Sequence, residues 1–417
     1  MTSTGAKPGL LPVADAISRL LSNAHRVTAT EAVALPAALG RVLAADVLAT
    51  VDVPPADNSA MDGYAMCLAD LLAAPSRTLP VSQRIPAGVV PAALQAGTAA
   101  RIFTGADVPA GADVVVMQED CTAGEGTVTV SEEEVARLKP GTNVRPRGQD
   151  MRCGTTVLAA GERIGPAQLG VAAAAGVATL TVYRRLRVAI FSTGDELLEP
   201  GAAPEPGRIY NSNRYALLGY LASVGCDVVD LGRVADQFAD TCAALQRAAA
   251  EADLVITTGG ASVGEEDHLG AALRAVGRVD LWKIAIKPGK PLLFGFAQNG
   301  TAGEVPVIGL PGNPVSVAVT FLVLALPFIR RCQGMAQVRP EPLQLPAGFA
   351  VTRAGGREEY FRVRLEGGLL QRYANQSSGV LTSMAWADGL AVLPAGGTVA
   401  PGELLAYYPF PQLLAAR

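Results

Sequence analysis

A chain of 417 residues is too long for one compact core of ordinary size, so two to four domains are expected. Half of its residues are hydrophobic and 17% are charged, which excludes a disordered chain. The net charge of −4 carries no basic excess, which argues against a nucleic-acid partner but leaves a small anionic substrate open.

Residue counts narrow the chemistry further. Only two histidines occur, His25 and His268, so a histidine-built zinc site or a Ser-His-Asp triad is not expected. The six cysteines show no C-x-x-C spacing and read as small hydrophobes in a reducing, cytoplasmic compartment. The start, MTSTGAKPGLLP, shows no apolar secretory segment. Against 29 arginines there are five lysines, and three of them, Lys283, Lys287 and Lys290, fall within eight residues. Compact ammonium groups gathered in this way suit a phosphate or oxyanion.

In chain order, residues 13–24 read as a helix with Val13, Ile17, Leu20 and Leu21 on one face. Residues 51–148 alternate short apolar runs with Gly- and Pro-rich turns and read as a β domain. Residues 149–183 return to helix-compatible sequence, so the β segment reads as inserted into a discontinuous mixed domain formed by 8–50 and 149–183. Over 184–334, strands alternate with helices. Strands are expected at 187–191, 227–231, 254–257, 282–286 and 305–309, and helices at 213–223, 238–252, 269–276 and 314–331. That rhythm predicts a doubly wound, mostly parallel α/β domain, which binds ligands beyond the carboxyl ends of its strands. The apolar run Val315 to Ile329 is short for a membrane span and is expected to be a buried helix. Residues 337–417 read as a second small β domain.

Four loops in the α/β region carry chemistry. Ser192-Thr193-Gly194-Asp195-Glu196 turns sharply and presents two carboxylates. Residues 257–267 contain Gly259, Gly260, Ser262 and Gly264, an anion cradle of backbone N–H groups and hydroxyls, then the acids Glu265, Glu266 and Asp267. Such carboxylates suit magnesium, which is usually held by one or two of them together with substrate phosphates. Lys287-Pro288-Gly289-Lys290-Pro291 presents lysines on a stiff backbone. In Gly309-Leu310-Pro311-Gly312-Asn313-Pro314, Asn313 suits a helix N-cap and Pro314 the first helical position. Together the loops imply a phosphorylated or nucleotide-bearing substrate and a metal ion, without naming the substrate.

These loops resemble the molybdopterin molybdenumtransferase family of the bacterial MoeA type, which is related to the E domain of gephyrin. Asp57 to Ala65, Arg101 to Ala106, Arg357 to Arg364 and Gln376 to Gly379 extend the resemblance over nearly the whole chain. It implies a molybdenum-cofactor-binding type of α/β domain and a C-terminal β-barrel-like domain. It also implies a magnesium-dependent insertion of molybdate into adenylylated molybdopterin with release of AMP. By resemblance, Glu196, Asp236 and Asp267 surround the metal, and Lys283 and Lys287 neutralise anionic charge. Pro311 and Pro314 shape the pterin-facing loop, with Gly312 and Asn313 beside them. Arg362 and Ser378 reach in from the C-terminal domain, and Asp62 and Thr104 come from the other subunit of a homodimer.

Plainer readings stay open for single residues: Asp62 as a turn residue, Asp236 as a helix cap, Thr104 as a turn hydroxyl, Arg362 as a surface cation and Ser378 as a loop hydroxyl. Two rival functions also stay open, the molybdopterin adenylyltransferase of the preceding step and a non-catalytic molybdopterin-binding scaffold. The adenylyltransferase and molybdoenzyme maturation factors are candidate partners.

Overall fold

The computed structural model describes residues 9–259, 268–289, 291–300 and 303–414. Near the N-terminus, the helix Val13–Ser22 buries Val13, Ala16, Ile17 and Leu20, the face expected from the sequence. The stretches on either side of residues 51–148 pair with each other. Thr30–Ala34 runs antiparallel to Thr179–Tyr183, and Val47–Leu48 to Thr156–Leu158. Between them lies a six-stranded sheet containing Gly63–Met66, Ala99–Ile102 and Val114–Met117, whose alternate residues fill two small cores.

The central domain contains β1 (Arg187–Thr193), α1 (Ser212–Ser223), β2 (Asp227–Val234), α2 (Phe238–Glu251), β3 (Leu254–Thr258), α3 (His268–Val276), β4 (Gly277–Lys283), β5 (Ile286–Lys287), β6 (Pro291–Gln298), β7 (Glu304–Leu310) and α4 (Pro314–Cys332). Its sheet order is β2-β1-β3-β7-β6-β4. The strands are apolar on both faces because both are covered. Val188 and Ile190 of β1 join the core beneath α1 and α4, while Ala189 and Phe191 join the core beneath α2 and α3.

One expectation is corrected here. The segment 282–286 is not a strand of its own. Residues up to Lys283 end β4, and Ile286–Lys287 leaves for another sheet. The strand that fills the place beside β7 is β6, antiparallel to both neighbours. The central sheet is therefore mixed. Because β6 runs backwards, the loop that precedes it lies at the edge where β7 ends, so the lysine loop still reaches the expected edge.

Helix α4 is long and apolar enough to cross a membrane by composition, yet 94% of its apolar window is buried inside the fold. It is a core helix, as expected. Residues Phe321–Ala325 form a π turn. Pro327 lacks an N–H, and its ring crowds the carbonyl four residues back, so the widened turn accommodates it within a continuous helix.

The C-terminal region contributes β8 (Leu343–Pro346), β9 (Glu358–Glu366), β10 (Leu369–Arg372), α5 (Thr382–Trp386), β11 (Gly389–Leu393), β12 (Leu404–Pro409) and α6 (Phe410–Leu414). Its sheet runs β5-β9-β11-β12-β8, with β10 also on β9. Its edge strand β5 thus comes from the central domain, with Ile286 opposite Glu358 and Lys287 opposite Glu359. This pairing ties the last domain to the lysine loop.

Candidate active site

A cavity of about 590 Å³ opens where the central sheet meets the C-terminal region. The carboxyl ends of the parallel strands supply one wall: Thr193 ends β1 and Gly194 and Glu196 follow it, Asp236 follows β2 and Gly259 follows β3. Lys287, Pro288 and Gly289 supply the next stretch, then Pro311, Gly312 and Asn313 after β7. Arg357, Gln376, Ser377 and Ser378 close the other side from the C-terminal region.

The local folding follows from a few close approaches. Gly259 has φ of +87°, and a Cβ there would stand 2.3 Å from the Thr193 carbonyl oxygen, so the β1 and β3 loops meet only over glycine. Gly289, at φ of +95°, sits against Thr320 of α4, where a Cβ would come within 2.8 Å of the methyl group. Behind these loops the Ser192 and Thr258 hydroxyls are 2.9 Å apart and buried. The threonine thus keeps a hydroxyl–hydroxyl bond between adjacent strands.

The C-terminal region is latched onto this edge. The Val315 N–H, in the first turn of α4, donates to the Ser378 carbonyl at 3.0 Å. Arg357 donates to the Ile286 carbonyl at 3.3 Å. The Lys287 ammonium lies 2.7 Å from a Glu359 carboxylate oxygen. Asn313 occupies the N-cap position of α4 but makes no side-chain cap bond, and faces the cavity instead. Asp236 is not the cap of α2, since Gln237 stands at that position.

The expected site residues divide into three groups. Thr193, Gly194, Glu196, Asp236, Gly259, Lys287, Pro311, Gly312, Asn313 and Ser378 come together in the cavity. Gly260, Ser262, Gly264, Asp267 and Lys290 lie outside the described residues. The remainder are not among its lining residues. Lys283 is exposed at the end of β4, and Pro314 begins α4. Asp62 and Thr104 are joined to each other in the inserted sheet region, where the Thr104 N–H and hydroxyl both donate to one Asp62 oxygen. Those two bonds hold the Asp62 carboxyl below its ordinary value.

Arg362 is neither a surface cation nor a wall of the cavity. It is 1% exposed and donates to the Ser383 hydroxyl and the Ser377 carbonyl, each at 3.1 Å. Burial lowers its guanidinium to about 10. Gln376 exchanges two backbone bonds with Arg362, accepting from its N–H and donating to its carbonyl. Arg362 therefore carries the loop that presents Ser377 and Ser378. The cavity residues not anticipated are Pro288, Gly289, Ser316, Arg357, Gln376 and Ser377. Most flank residues that were anticipated, so the signal was proximity in sequence. Arg357 opens the segment 357–364 that carries part of the resemblance, but nothing local placed it at the cavity, because that depends on strand β9 pairing with β5.

Family models match nearly the whole chain. The MoeA N-terminal region (domain I and II) matches residues 11–176 and the MoeA C-terminal region (domain IV) matches 344–410. Between them, residues 189–331 match the family described as "Probable molybdopterin binding domain". A molybdopterin molybdenumtransferase of Haemophilus influenzae is 39% identical over 414 residues, 97% of this chain and all of that one. The chain belongs to the MoeA family. A molybdopterin molybdenumtransferase of a Nostoc species is 37% identical over 94% of this chain and 91% of its own length. Among solved structures, a molybdopterin biosynthesis MoeA protein of Pyrococcus horikoshii superposes with a TM-score of 0.81 at 27% identity, covering 96% of this chain and 100% of that one. The shared architecture is the multidomain MoeA fold, a central mixed α/β sheet accompanied by several β sheets.

Proposed function

We propose that the chain uses this cavity to insert molybdate into adenylylated molybdopterin, releasing AMP and forming molybdenum cofactor. That the chain is a molybdopterin molybdenumtransferase follows from full-length relatives of that activity at 37–39% identity. The matches outside the central domain, at 11–176 and 344–410, separate it from an adenylyltransferase built on that domain alone.

The observation that carries the assignment of the site is the meeting of opposite charges on one sheet edge. Lys287 and Arg357 line the same cavity as Glu196 and Asp236. Bringing molybdate to a pterin phosphate opposes two anions, and preorganised cations screen that repulsion without reorganising during the reaction. The serines at 377 and 378 add hydroxyls, and Pro311 and Gly312 form a rigid, small-residue wall for the pterin.

The acids fit a magnesium ion. Among the described residues no cluster of three or more metal-ligating side chains forms. Two carboxylates in a cavity that takes a phosphorylated substrate nevertheless match how this ion is held. Glu196 and Asp236 would hold it together with Asp267. When bound, it would supply positive charge against the leaving phosphate.

Asp62 and Thr104 belong to the reading as residues of a second subunit. They form a bonded pair away from the cavity lining of their own chain, and a homodimer would bring the pair to the partner's cavity. The finer description, a β-barrel-like last domain and a cytoplasmic protein supplied by the adenylyltransferase and relieved of product by maturation factors, belongs to the same reading. None of the six cysteines is bonded to another, in keeping with a reducing compartment.

The test is AMP release from adenylylated molybdopterin with magnesium, with and without molybdate. Release that depends on molybdate supports the insertion reaction. A bound pterin that is never turned over overturns it in favour of a binding scaffold.

A further inference from the structure

Lys287 is the cavity's lysine, yet its ammonium is held by a residue of a different domain. Strands β5 and β9 run parallel with Lys287 directly opposite Glu359. Directly paired residues on adjacent strands project to the same face, so the pairing itself places the two side chains together. The ammonium nitrogen and a Glu359 carboxylate oxygen are 2.7 Å apart. The two ends differ in exposure. The Glu359 side chain is 16% exposed and the Lys287 side chain 48%. Glu359 is not part of the cavity lining, whereas Lys287 is. The carboxylate therefore holds the ammonium from outside the lining, and among the described residues Glu359 is its ion-pair partner.

We propose that Glu359 is the positioning residue for Lys287, fixing the ammonium at the cavity wall for the incoming oxyanion. A half-exposed lysine on a flexible four-carbon stem otherwise has to be ordered at the moment of binding. The surroundings favour this role over that of a competing anion. Arg357, two residues earlier in the chain, lines the cavity, and Glu359 also acts favourably on the Arg362 guanidinium. Glu359 thus serves two cations, Lys287 directly and Arg362 at longer range, from outside the cavity lining. Because Glu359 belongs to the C-terminal sheet, the position of Lys287 depends on that domain being docked.

The inference rests on Lys287 facing the anionic substrate, and two measurements on the full-length chain separate its failure from a failure of that reading. The first is the molybdate dependence of AMP release. Glu359→Gln is expected to raise the molybdate KM about tenfold with kcat within about twofold, and Glu359→Asp to recover part of the loss. The second needs no turnover. The chain holds five lysines, so the Lys287 signal in a carbon-13 spectrum of lysine Cε groups can be identified by its absence in Lys287→Arg. That signal is expected to move in Glu359→Gln while the other lysine signals stay. An unchanged or lower KM in Glu359→Gln overturns the proposal, because a competing carboxylate gives that result. A Lys287 signal that does not move overturns it as well, even if the wild-type chain releases no AMP.

Discussion

One oxygen of Asp62 accepts two hydrogen bonds from Thr104, 2.8 Å from the backbone N–H and 2.7 Å from the hydroxyl, across 42 residues of sequence. The pair holds the carboxylate ionised below its ordinary value. Thr104→Val keeps the backbone bond and the side-chain shape but removes the hydroxyl. The Asp62 carboxyl then takes up a proton more readily as pH falls. The acid limb of the pH–rate profile for AMP release is expected to move to higher pH, with little change near neutrality, where the carboxyl is ionised in both proteins. An acid limb that stays in place would separate Asp62 from the reaction.

If the Asp62–Thr104 pair serves the partner's cavity, two inactive variants can repair each other. Asp62→Ala and Lys287→Ala should each lose at least about 100-fold in AMP release. After subunit exchange, a mixed dimer holds one intact site, with Asp62 from one chain and Lys287 from the other. Mixing is expected to restore activity that neither variant has alone. Continued inactivity after verified exchange would place both residues in one chain's site.

Gly259 permits the β1 and β3 loops to touch. Gly259→Ala puts a methyl group 2.3 Å from the Thr193 carbonyl oxygen at a φ of +87°. The substitution should destabilise the chain by about 2–4 kcal/mol, read as a lower midpoint in urea. It should also reduce substrate binding, since the same contact shapes the cavity. A variant as stable as the wild type would show that the loops separate at little cost.

Arg362 supports the cavity from beneath. Arg362→Met fills similar space but leaves the Ser377 carbonyl and the Ser383 hydroxyl without their donor. A loss of about 2–3 kcal/mol in urea unfolding is expected, with a raised KM from the loosened 376–378 loop. An unaltered KM in a folded variant would detach that loop from substrate binding.

Arg184 grips Asp253 through two bonds of 2.7 and 2.6 Å, and the Arg187 N–H adds a third at 2.9 Å. Burial pushes the Asp253 carboxyl up, but these donors outweigh it and hold the carboxyl below its ordinary value. The folded state is therefore favoured by ionised Asp253 above the ordinary carboxyl range, and this contribution is lost as pH falls through the lowered value. Asp253→Asn should melt below the wild type at pH 7, and the gap should narrow toward pH 3. A gap independent of pH would assign the loss to packing.

Much of the cavity is written in contiguous sequence. Thr193-Gly194, Gly259 and Pro311-Gly312 could be read directly, because a glycine after an apolar strand run signals a sharp turn within a few residues. The same locality marked α4 as a buried core helix and residues 13–24 as an amphipathic helix, which ends at Ser22. Strand β6 was missed because its apolar run adjoins the lysine loop, and nothing local reveals that it runs opposite to its neighbours.

The loops and their chemistry were legible in the chain alone: glycines for close approach, lysines for anions and carboxylates for a cation, each specified by neighbours in the chain. Which of these groups meet was set by the packing of distant segments. It brought Arg357 and Gln376 to the cavity, buried Arg362 beneath it, kept Asp62 apart with Thr104, and set Glu359 behind Lys287. Apart from the Asp62–Thr104 pair, these outcomes involve the pairing of β5 with β9, strands about 70 residues apart in a sheet assembled from two domains. Register between distant strands is set by the total burial of both faces, a property of the assembled fold with no signature in any single segment.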